Sequence, residues 1–202
     1  MRTTATTTTP SGRVRLSREA RRAQLLELGV RMLASRRLDE LSTDDIAVAA
    51  GISSGLLFHY FPTKHEFHVA VARAAAEQLR ARVLRGDPDA DPPARIRASL
   101  EAYVDHVAEH RAAYVWLVRG AGGGDPDMAA VYDETRTALT DFIVEAIAAV
   151  QGPVSPRLAL AVRGWQAFVE EVVLVWMEGG DLGRGDLLEM LERSFYRLLG
   201  LG

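Results

Sequence analysis

The sequence of 202 residues has no cysteine and no long uncharged apolar run. Without cysteine the chain has neither disulfides nor thiolate metal ligands, a composition that fits a cytoplasmic protein. No run of about 18 uncharged apolar residues occurs, so no membrane span is expected. The threonine-rich N-terminus also lacks the apolar segment of a secretory signal. These absences predict a soluble cytoplasmic protein that does not act at a membrane.

Sequence patterns of catalysis are missing as well. The chain has no nucleophile elbow, no phosphate-binding loop and no paired-carboxylate signature, so we predict that it is not an enzyme and needs no cofactor. The competing hypothesis is a metal-dependent all-α hydrolase, because two histidines one helical turn apart can share a zinc ion. The candidate ligands are His65, His68, His106 and His110. No third ligand is recognised beside either pair, so ordinary exposed or hydrogen-bonded histidines, and no metal, are expected.

Lysine occurs once, as Lys64, among 24 basic residues, and the basic residues are unevenly placed. Up to Arg85 the chain has 14 basic and 8 acidic residues, and after it 10 basic and 19 acidic residues. A basic first part and an acidic second part favour contact of the first part with a polyanion. The alternative is chance clustering of charge on solvated helices.

Apolar residues recur at three- and four-residue spacing, and no segment alternates convincingly as a strand does, so we predict an all-α protein. "VVLVWM" (172–177) has the composition of a strand but continues the helical spacing before it. We expect a flexible basic arm (1–16), a small helical domain (17–62), a connecting helix (63–85) and a larger helical domain (86–202) that starts at "GDPDADPP". Helices are predicted at 17–36, 42–51, 53–60, 63–85, 93–109, 111–119, 126–150, 156–178 and 184–199.

The second and third helices, joined through "AGIS", have the proportions of a helix-turn-helix. Gly51 supplies the turn, and Leu57 and Phe61, four residues apart, share the side that faces the core. The opposite side would then meet the major groove of DNA. That open side carries Ser54, Phe58, His59 and Tyr60. The alternative is that "FHYF" (58–61) only seals a small core.

The segment "STDDIAVAAGISSGLLFHYFPTKHEF" (42–67) resembles the DNA-binding signature of TetR-type transcriptional regulators, T-x-x-x-I-A-x-x-A-G-V-S-x-G-x-L-Y-x-H/Y-F-x-x-K-x-x-L. The matching positions are Thr43, Ile46, Ala47, Ala50, Gly51, Ser53, Gly55, Leu57, Tyr60, Phe61 and Lys64. Phe58 departs from the usual tyrosine, and Ser54 and Leu56 replace residues frequent in the family. The operator sequence is therefore not transferable from relatives.

The resemblance implies a homodimeric repressor that a small, largely apolar effector releases from a near-palindromic operator in double-stranded DNA. It implies phosphate contacts by Thr43 and Lys64 and base contacts by the open side of the third helix. We expect the DNA contacts to come from Thr43, Ser53, Ser54, Gly55, Phe58, His59, Tyr60 and Lys64. The arm and first helix add Arg13, Arg15, Arg18, Arg21 and Arg22, which either follow phosphates or the minor groove or belong to a solvated tail.

The helix at 156–178 is apolar nearly all round, which predicts burial on two sides. One side would be the core of the subunit and the other a partner subunit, with the last helix completing a four-helix dimer interface. The predicted interface residues are Val169, Val172, Trp176, Leu187, Leu191, Phe195 and Leu198. The alternative is that both sides lie within the core of one chain.

Aromatic side chains of the second part are candidates for lining an effector pocket, although core aromatics have the same pattern. The candidate lining residues are Tyr103, His106, Tyr114, Trp116, Leu117, Trp165 and Phe168. Acids near them can supply polar contacts, and an acid beside an aromatic ring suits a cationic apolar ligand. These acids are Glu101, Asp105, Glu170 and Glu171.

Overall fold

Helices account for all regular secondary structure in the residues that the structure, a computed structural model, describes. These are residues 16–85, 87, 90–120, 124–179 and 181–200, with the backbone only at positions 116, 119 and 120. The predicted all-α fold is confirmed. The helices are α1 Arg18–Met32, α2 Thr43–Ala50, α3 Ser54–Tyr60, α4 Lys64–Val83, α5 Pro92–Glu109, α6 Arg111–Gly120, α7 Pro126–Gln151, α8 Pro156–Met177 and α9 Arg184–Leu199. No helix within those ranges is long and apolar enough to cross a membrane.

Side-chain caps place the helix starts close to where the sequence predicts them. The Ser42 hydroxyl accepts from the backbone N–H of Asp44, and the Thr63 hydroxyl accepts from that of Glu66. α1 ends at Met32, four residues before its predicted end at Arg36. The chain turns at residues 33–36 because Leu33, Leu38 and Leu41 all enter the core, which a continued helix would not allow.

Two apolar cores meet along α4. Phe67, Val71 and Ala76 belong to the first core, with α1, α2, α3 and Met128 of α7, whereas Leu79 and Val83 belong to the second, with α5, α7, α8 and α9. At the crossing of α1 and α4 a Cβ added to Gly29 would lie 2.6 Å from Val71 Cγ2, so the close approach requires glycine. The same rigid helix therefore contributes side chains to both cores.

The α8–α9 pair corrects the predicted dimer residues. Leu187, Leu191, Phe195 and Val169 are buried inside the core of the single chain, so they have no surface left for a partner. Val172 and Trp176 are half-buried against the same core, and Leu198 alone of the seven is exposed. The apolar stripe of α9 faces α8 and α5 of its own chain.

The outer face of α8 carries three exposed large apolar side chains. Leu160, Phe168 and Val175 are exposed, whereas Val162, Trp165, Val169 and Val173 of the same helix are buried. The exposed positions are separated by eight and seven residues, so they form one stripe along the helix. The described residues of the chain itself leave this stripe uncovered.

Candidate nucleic-acid interface and ligand cavity

The third helix presents a mixed polar and aromatic surface to solvent. Gly51, at a φ of 65°, forms the turn before α3, and the Ser53 hydroxyl caps the helix by accepting from the backbone N–H of Leu56 at 3.2 Å. Leu57 and Phe61 are buried, as the spacing predicts. Phe58 is 40% exposed and His59 is exposed, whereas Tyr60 is half-buried. Of "FHYF" only Phe61 is fully in the core, so the segment as a whole does not seal the core.

Ser54, in the first turn of α3, forms a hydrogen bond with Asp44, a residue that is not among the predicted DNA contacts. Its hydroxyl donates to Asp44 Oδ1 at 2.6 Å, and Asp44 is an exposed residue in the first turn of α2. A carboxylate on a surface that meets phosphates is repelled by them. The ten-residue separation between Asp44 and Ser54 gives no periodic signal in the sequence, so this pair becomes visible only in the fold.

Thr43 and Lys64 are the first residues of α2 and α4, next to the caps Ser42 and Thr63. Backbone N–H groups at a helix N-terminus are suited to binding phosphate. Lys64 is exposed, and no carboxylate of the described residues forms a salt bridge with it. Five of the predicted DNA contacts are exposed to solvent: Ser53, Gly55, Phe58, His59 and Lys64. The other three, Thr43, Ser54 and Tyr60, are half-buried.

Ion pairs engage many cations of the first part of the chain. They hold Arg31, Arg36, Arg37, Arg73, Arg80 and Arg82 against carboxylates. Within the described ranges Arg18, Arg21, Arg22 and Lys64 form no such pair; Arg21 donates to Gln24, and the Arg22 guanidinium lies 5.0 Å from the ring centre of Phe61. Arg13 and Arg15 lie outside the described residues. The cations open to an anion are therefore concentrated at the start of α1 and of α4.

A cavity of about 130 Å³ lies between α4, α5, α6, α7 and α8. Its walls include the predicted residues Tyr103, His106, Tyr114, Leu117 and Trp165. Phe168 is not among them, because it lies on the outer face of α8 and is 37% exposed. The side chain of Trp116 lies outside the described residues. A cavity of about 150 Å³ with apolar walls is large enough for benzene.

One wall of the cavity consists of small residues of α4 that are not among the predicted lining residues. Ala72, Ala75 and Ala76 line the cavity, and Leu33 and Leu38 of the first core close it on the same side. Alanine side chains leave space without marking it in the sequence, because the same residues are simply good helix formers. The cavity therefore reaches from the second core to the helices of the first.

The polar end of the cavity is a chain of hydroxyl groups that ends on one carboxylate. The hydroxyls of Tyr103 and Tyr114 are 2.6 Å apart, and Tyr114 donates to Glu170 Oε2 at 3.3 Å. Tyr132 donates to Glu170 Oε1 at 2.6 Å and accepts from Arg136 at 3.2 Å. Burial raises the pKa of Tyr103 and Tyr114 well above the usual value and that of Tyr132 to about 12, so all three phenols stay protonated.

The other three acids proposed as polar contacts do not line the cavity. Glu101 pairs with Arg97, Asp105 pairs with Arg184 at 2.8 Å, and Glu171 is exposed. Glu170 is therefore the only one of the four that the structure brings to this site.

The four histidines of the hydrolase hypothesis do not converge on one site. His68 donates through Nε2 to the Leu41 carbonyl at 3.0 Å, and the His106 and His110 rings stack at 4.5 Å. Burial, with His110 and Arg82 nearby, lowers the pKa of His106 to about 4, so this ring is neutral. His65 alone has carboxylates near it, Asp127 at 2.9 Å and Asp125 at 3.6 Å. These are contacts at the exposed start of α7, and the hydrolase hypothesis is not supported.

Comparison with known proteins gives two matching family models. The model described as "Bacterial regulatory proteins, tetR family" matches residues 25–71, and "Tetracyclin repressor-like, C-terminal domain" matches residues 92–198. Among solved structures, a tetR-family transcriptional regulator from Streptomyces coelicolor has a TM-score of 0.81 and 30% identity, covering 92% of this chain and 83% of that one.

Named relatives are transcriptional regulators too. The HTH-type transcriptional activator FasR of Mycolicibacterium smegmatis is 26% identical over 164 residues, which are 81% of this chain and 75% of FasR. The HTH-type transcriptional repressor KstR2 of Mycobacterium tuberculosis is 36% identical over 97 residues. That match spans 48% of each protein, so the chain covers about half of the length of KstR2.

Proposed function

Because the chain belongs to the TetR family of bacterial transcriptional regulators, we propose that it is a homodimeric repressor that a small, largely apolar molecule releases from its operator. It is a DNA-binding transcriptional regulator and not an enzyme. The observation that supports the proposal is that one helix, α4, links the two sites. It starts at Lys64, directly after the helix proposed to read the bases (α3), and its residues Ala72, Ala75 and Ala76 line the cavity. A molecule that displaces α4 from within the cavity also displaces the surface that meets DNA.

In this proposal residues 17–62 form the DNA-binding domain, residues 63–85 the connecting helix, and residues 86–202 the effector and dimerisation domain. The arm at 1–16 adds positive charge, and the protein acts in the cytoplasm. The partner subunit packs on the exposed stripe of α8. In a dimer the two copies of α3 contact half-sites about one turn of DNA apart, roughly 34–36 Å, so the operator is a near-palindrome.

Selection of bound sequences from random duplex DNA with the purified protein tests the DNA-binding part of the proposal. We expect one near-palindromic sequence to be enriched, with half-sites one helical turn apart. Enrichment of no sequence, or of a single half-site without its inverted copy, would contradict a dimeric reading of DNA. Transcription from a template that carries the selected operator then shows whether binding represses or activates.

We expect phosphate and base contacts to separate by mutation. Thr43→Ala and Lys64→Ala should weaken binding to all duplexes by similar factors, because phosphates carry no sequence information. Ser54→Ala and His59→Ala should instead change the preferred base pairs, by about 1–3 kcal/mol for each discriminating contact. Binding of each variant to a panel of single-base operator variants measures both effects. Lys64→Arg, which keeps the charge, is the control, and a shift of preference in Lys64→Ala alone would reverse the assignment.

Release by an effector obeys reciprocity. A compound that releases the operator does so only by its difference in affinity between the free and DNA-bound dimer, typically about 1–3 kcal/mol. Saturating operator DNA must therefore weaken the compound by the same factor, which titration calorimetry with and without DNA measures. Ala75→Phe, which fills the cavity wall, should weaken the compound, whereas Ala81→Phe on the exposed side of α4 should not. Equal affinity for free and operator-bound protein would exclude the compound as the effector.

A further inference from the structure

The polar end of the cavity is built around the carboxylate of Glu170. We propose that the ligand is an apolar molecule with a positively charged nitrogen, and that this nitrogen lies beside Glu170 among the rings of Tyr103, Tyr114 and Tyr132. The inference rests on the proposed function only in taking this cavity as the effector site.

Among the side chains that the structure describes, no cation contacts the Glu170 carboxylate directly, and Arg136 reaches it only through the Tyr132 hydroxyl. It lines the cavity and is half-buried, and its two oxygens accept only from the hydroxyls of Tyr114 and Tyr132. Hydroxyls satisfy hydrogen bonds but supply no counter-charge of their own, so a cation in direct contact would stabilise this half-buried carboxylate further. The Tyr114 bond is long, at 3.3 Å, so a stronger donor can replace it at small cost.

Other charged groups in the wall do not take that place. Arg136 donates to the Tyr132 hydroxyl and to the Arg163 carbonyl, and its guanidinium carbon lies 5.4 Å from the centre of the Tyr132 ring. This contact holds the guanidinium on Tyr132, and among the described contacts it makes no hydrogen bond to Glu170. His106 is neutral near pH 7 because burial lowers its pKa to about 4.

The aromatic rings add attraction for a cation and none for an anion. Tyr103 and Tyr114 meet edge to face with their centres 6.0 Å apart, and Tyr132 and Trp165 complete the wall. The negative faces of such rings attract ammonium groups. An anionic head group at this end would meet both these faces and the Glu170 carboxylate, and the Arg136 guanidinium in the wall is already held on Tyr132, so an anion is disfavoured here.

The remainder of the cavity, about 130 Å³ in all, suits a small apolar body. Its wall follows α4 from Ala72 to Val83, a length of about 16 Å at 1.5 Å per residue. Leu79, Leu100 and Leu139 line the space between the alanines and the polar end. A short alkyl chain can therefore lie along α4 with its charged end at Glu170.

The test compares three probes of the same length, hexylamine, 1-hexanol and hexanoate, by titration calorimetry on the full-length protein at pH 7. We expect hexylamine to bind at least tenfold more tightly than 1-hexanol, and hexanoate to bind least. Equal binding of amine and alcohol, or tightest binding of hexanoate, would overturn the proposal.

Variants connect the preference to Glu170. Glu170→Gln keeps the shape and should reduce the preference for the amine to less than threefold, with binding of 1-hexanol unchanged. Glu145→Gln, at an exposed position of α7, removes an equal charge away from the cavity and should keep the full preference. If Glu170→Gln does not fold, Tyr114→Phe decides, because it removes the long hydrogen bond that the amine is expected to replace and leaves the contact between Arg136 and Tyr132 intact, so it should strengthen the preference for the amine. A reduced preference in Tyr114→Phe would contradict the proposal.

Fluorescence anisotropy with labelled operator DNA separates this inference from the proposed function. Tight amine binding without operator release would support the ligand chemistry and contradict the effector mechanism. Release by 1-hexanol and hexylamine at equal concentrations would support the mechanism and contradict the ligand chemistry.

Discussion

Replacing Leu160 and Val175 of α8 with glutamate should convert the protein to monomers that no longer bind the operator specifically. Leu160 is 72% exposed and Val175 is 56% exposed, and both lie on the stripe that carries Phe168. A carboxylate placed there loses its hydration on association and adds to the negative charge of exposed Glu171 on the same face, so association of the subunits becomes unfavourable. Because both positions are exposed in the single chain, the substitutions should leave the fold of each subunit intact.

A monomer can contact only one half-site, so the affinity for the operator should fall by a factor on the order of 10³ or more, toward non-specific binding. Sedimentation velocity at micromolar concentration measures the mass, and circular dichroism checks the helical content. Val48→Glu, at a valine of α2 that is 80% exposed, should leave the mass unchanged. A double variant that sediments as wild-type protein would place the interface elsewhere.

The dimer residues show what an apolar stripe in a sequence can and cannot tell. The spacing of Leu187, Leu191 and Phe195 predicts correctly that one face of α9 is buried, but the same pattern results whether the cover is α8 or a partner subunit. Charged variants at Phe195 would therefore unfold the chain and leave the interface untested. The sequence predicts that one side of α8 faces away from the core of its own chain. It does not show which residues lie on that side, because apolar residues occur on both sides of the helix.

Most helix boundaries could be predicted because short-range chemistry determines them. Ser42, Thr63 and the glycine at 51 cap or end helices through contacts within four residues. The early end of α1 could not be predicted, because it depends on Leu38 and Leu41 reaching the core at longer range. Local signals thus place the helices but not the turns that tertiary packing imposes.

The candidate site likewise has one part that local sequence signals predict and another that depends on tertiary packing. The surface of α3 follows from a continuous motif, in which the positions of Leu57 and Phe61 determine which side faces outward. The Asp44–Ser54 bond and the alanine wall of the cavity depend on how separate helices pack. The cavity exists because several helices pack around it, so the residue pattern of any single helix does not predict it.

Affinity for the operator should also fall steeply as salt is raised, and the ion pairs of the structure determine how steeply. Each phosphate neutralised by a protein cation releases condensed counterions, so the logarithm of affinity falls with the logarithm of salt with a slope of about −0.9 for each contact. Six arginines of the first part are already engaged with carboxylates. They release few additional ions, so the formal charge overstates the slope.

At the starts of α1 and α4, the cations without an acidic partner in the described ranges are Arg18, Arg21, Arg22 and Lys64. If each contacts one phosphate in both subunits, about eight contacts give a slope of about −7, which is a loss on the order of 10⁴ in affinity between about 50 and 200 mM salt. The binding isotherm by anisotropy at several salt concentrations measures the slope. A flat response would contradict the polyanion contact altogether.

A pair of matched variants then shows which cations meet DNA. Lys64→Gln removes one unpaired cation from each subunit and should make the slope less steep by about 2 per dimer. Arg31→Gln removes an equal formal charge, but Arg31 is already held by Glu27 at 2.8 Å, so the slope should stay close to that of the wild type. Equal changes in the two variants would mean that net charge alone attracts DNA. A change only in Lys64→Gln would show that the start of α4 contacts the phosphates, which is the contact that movement of α4 by a ligand must break.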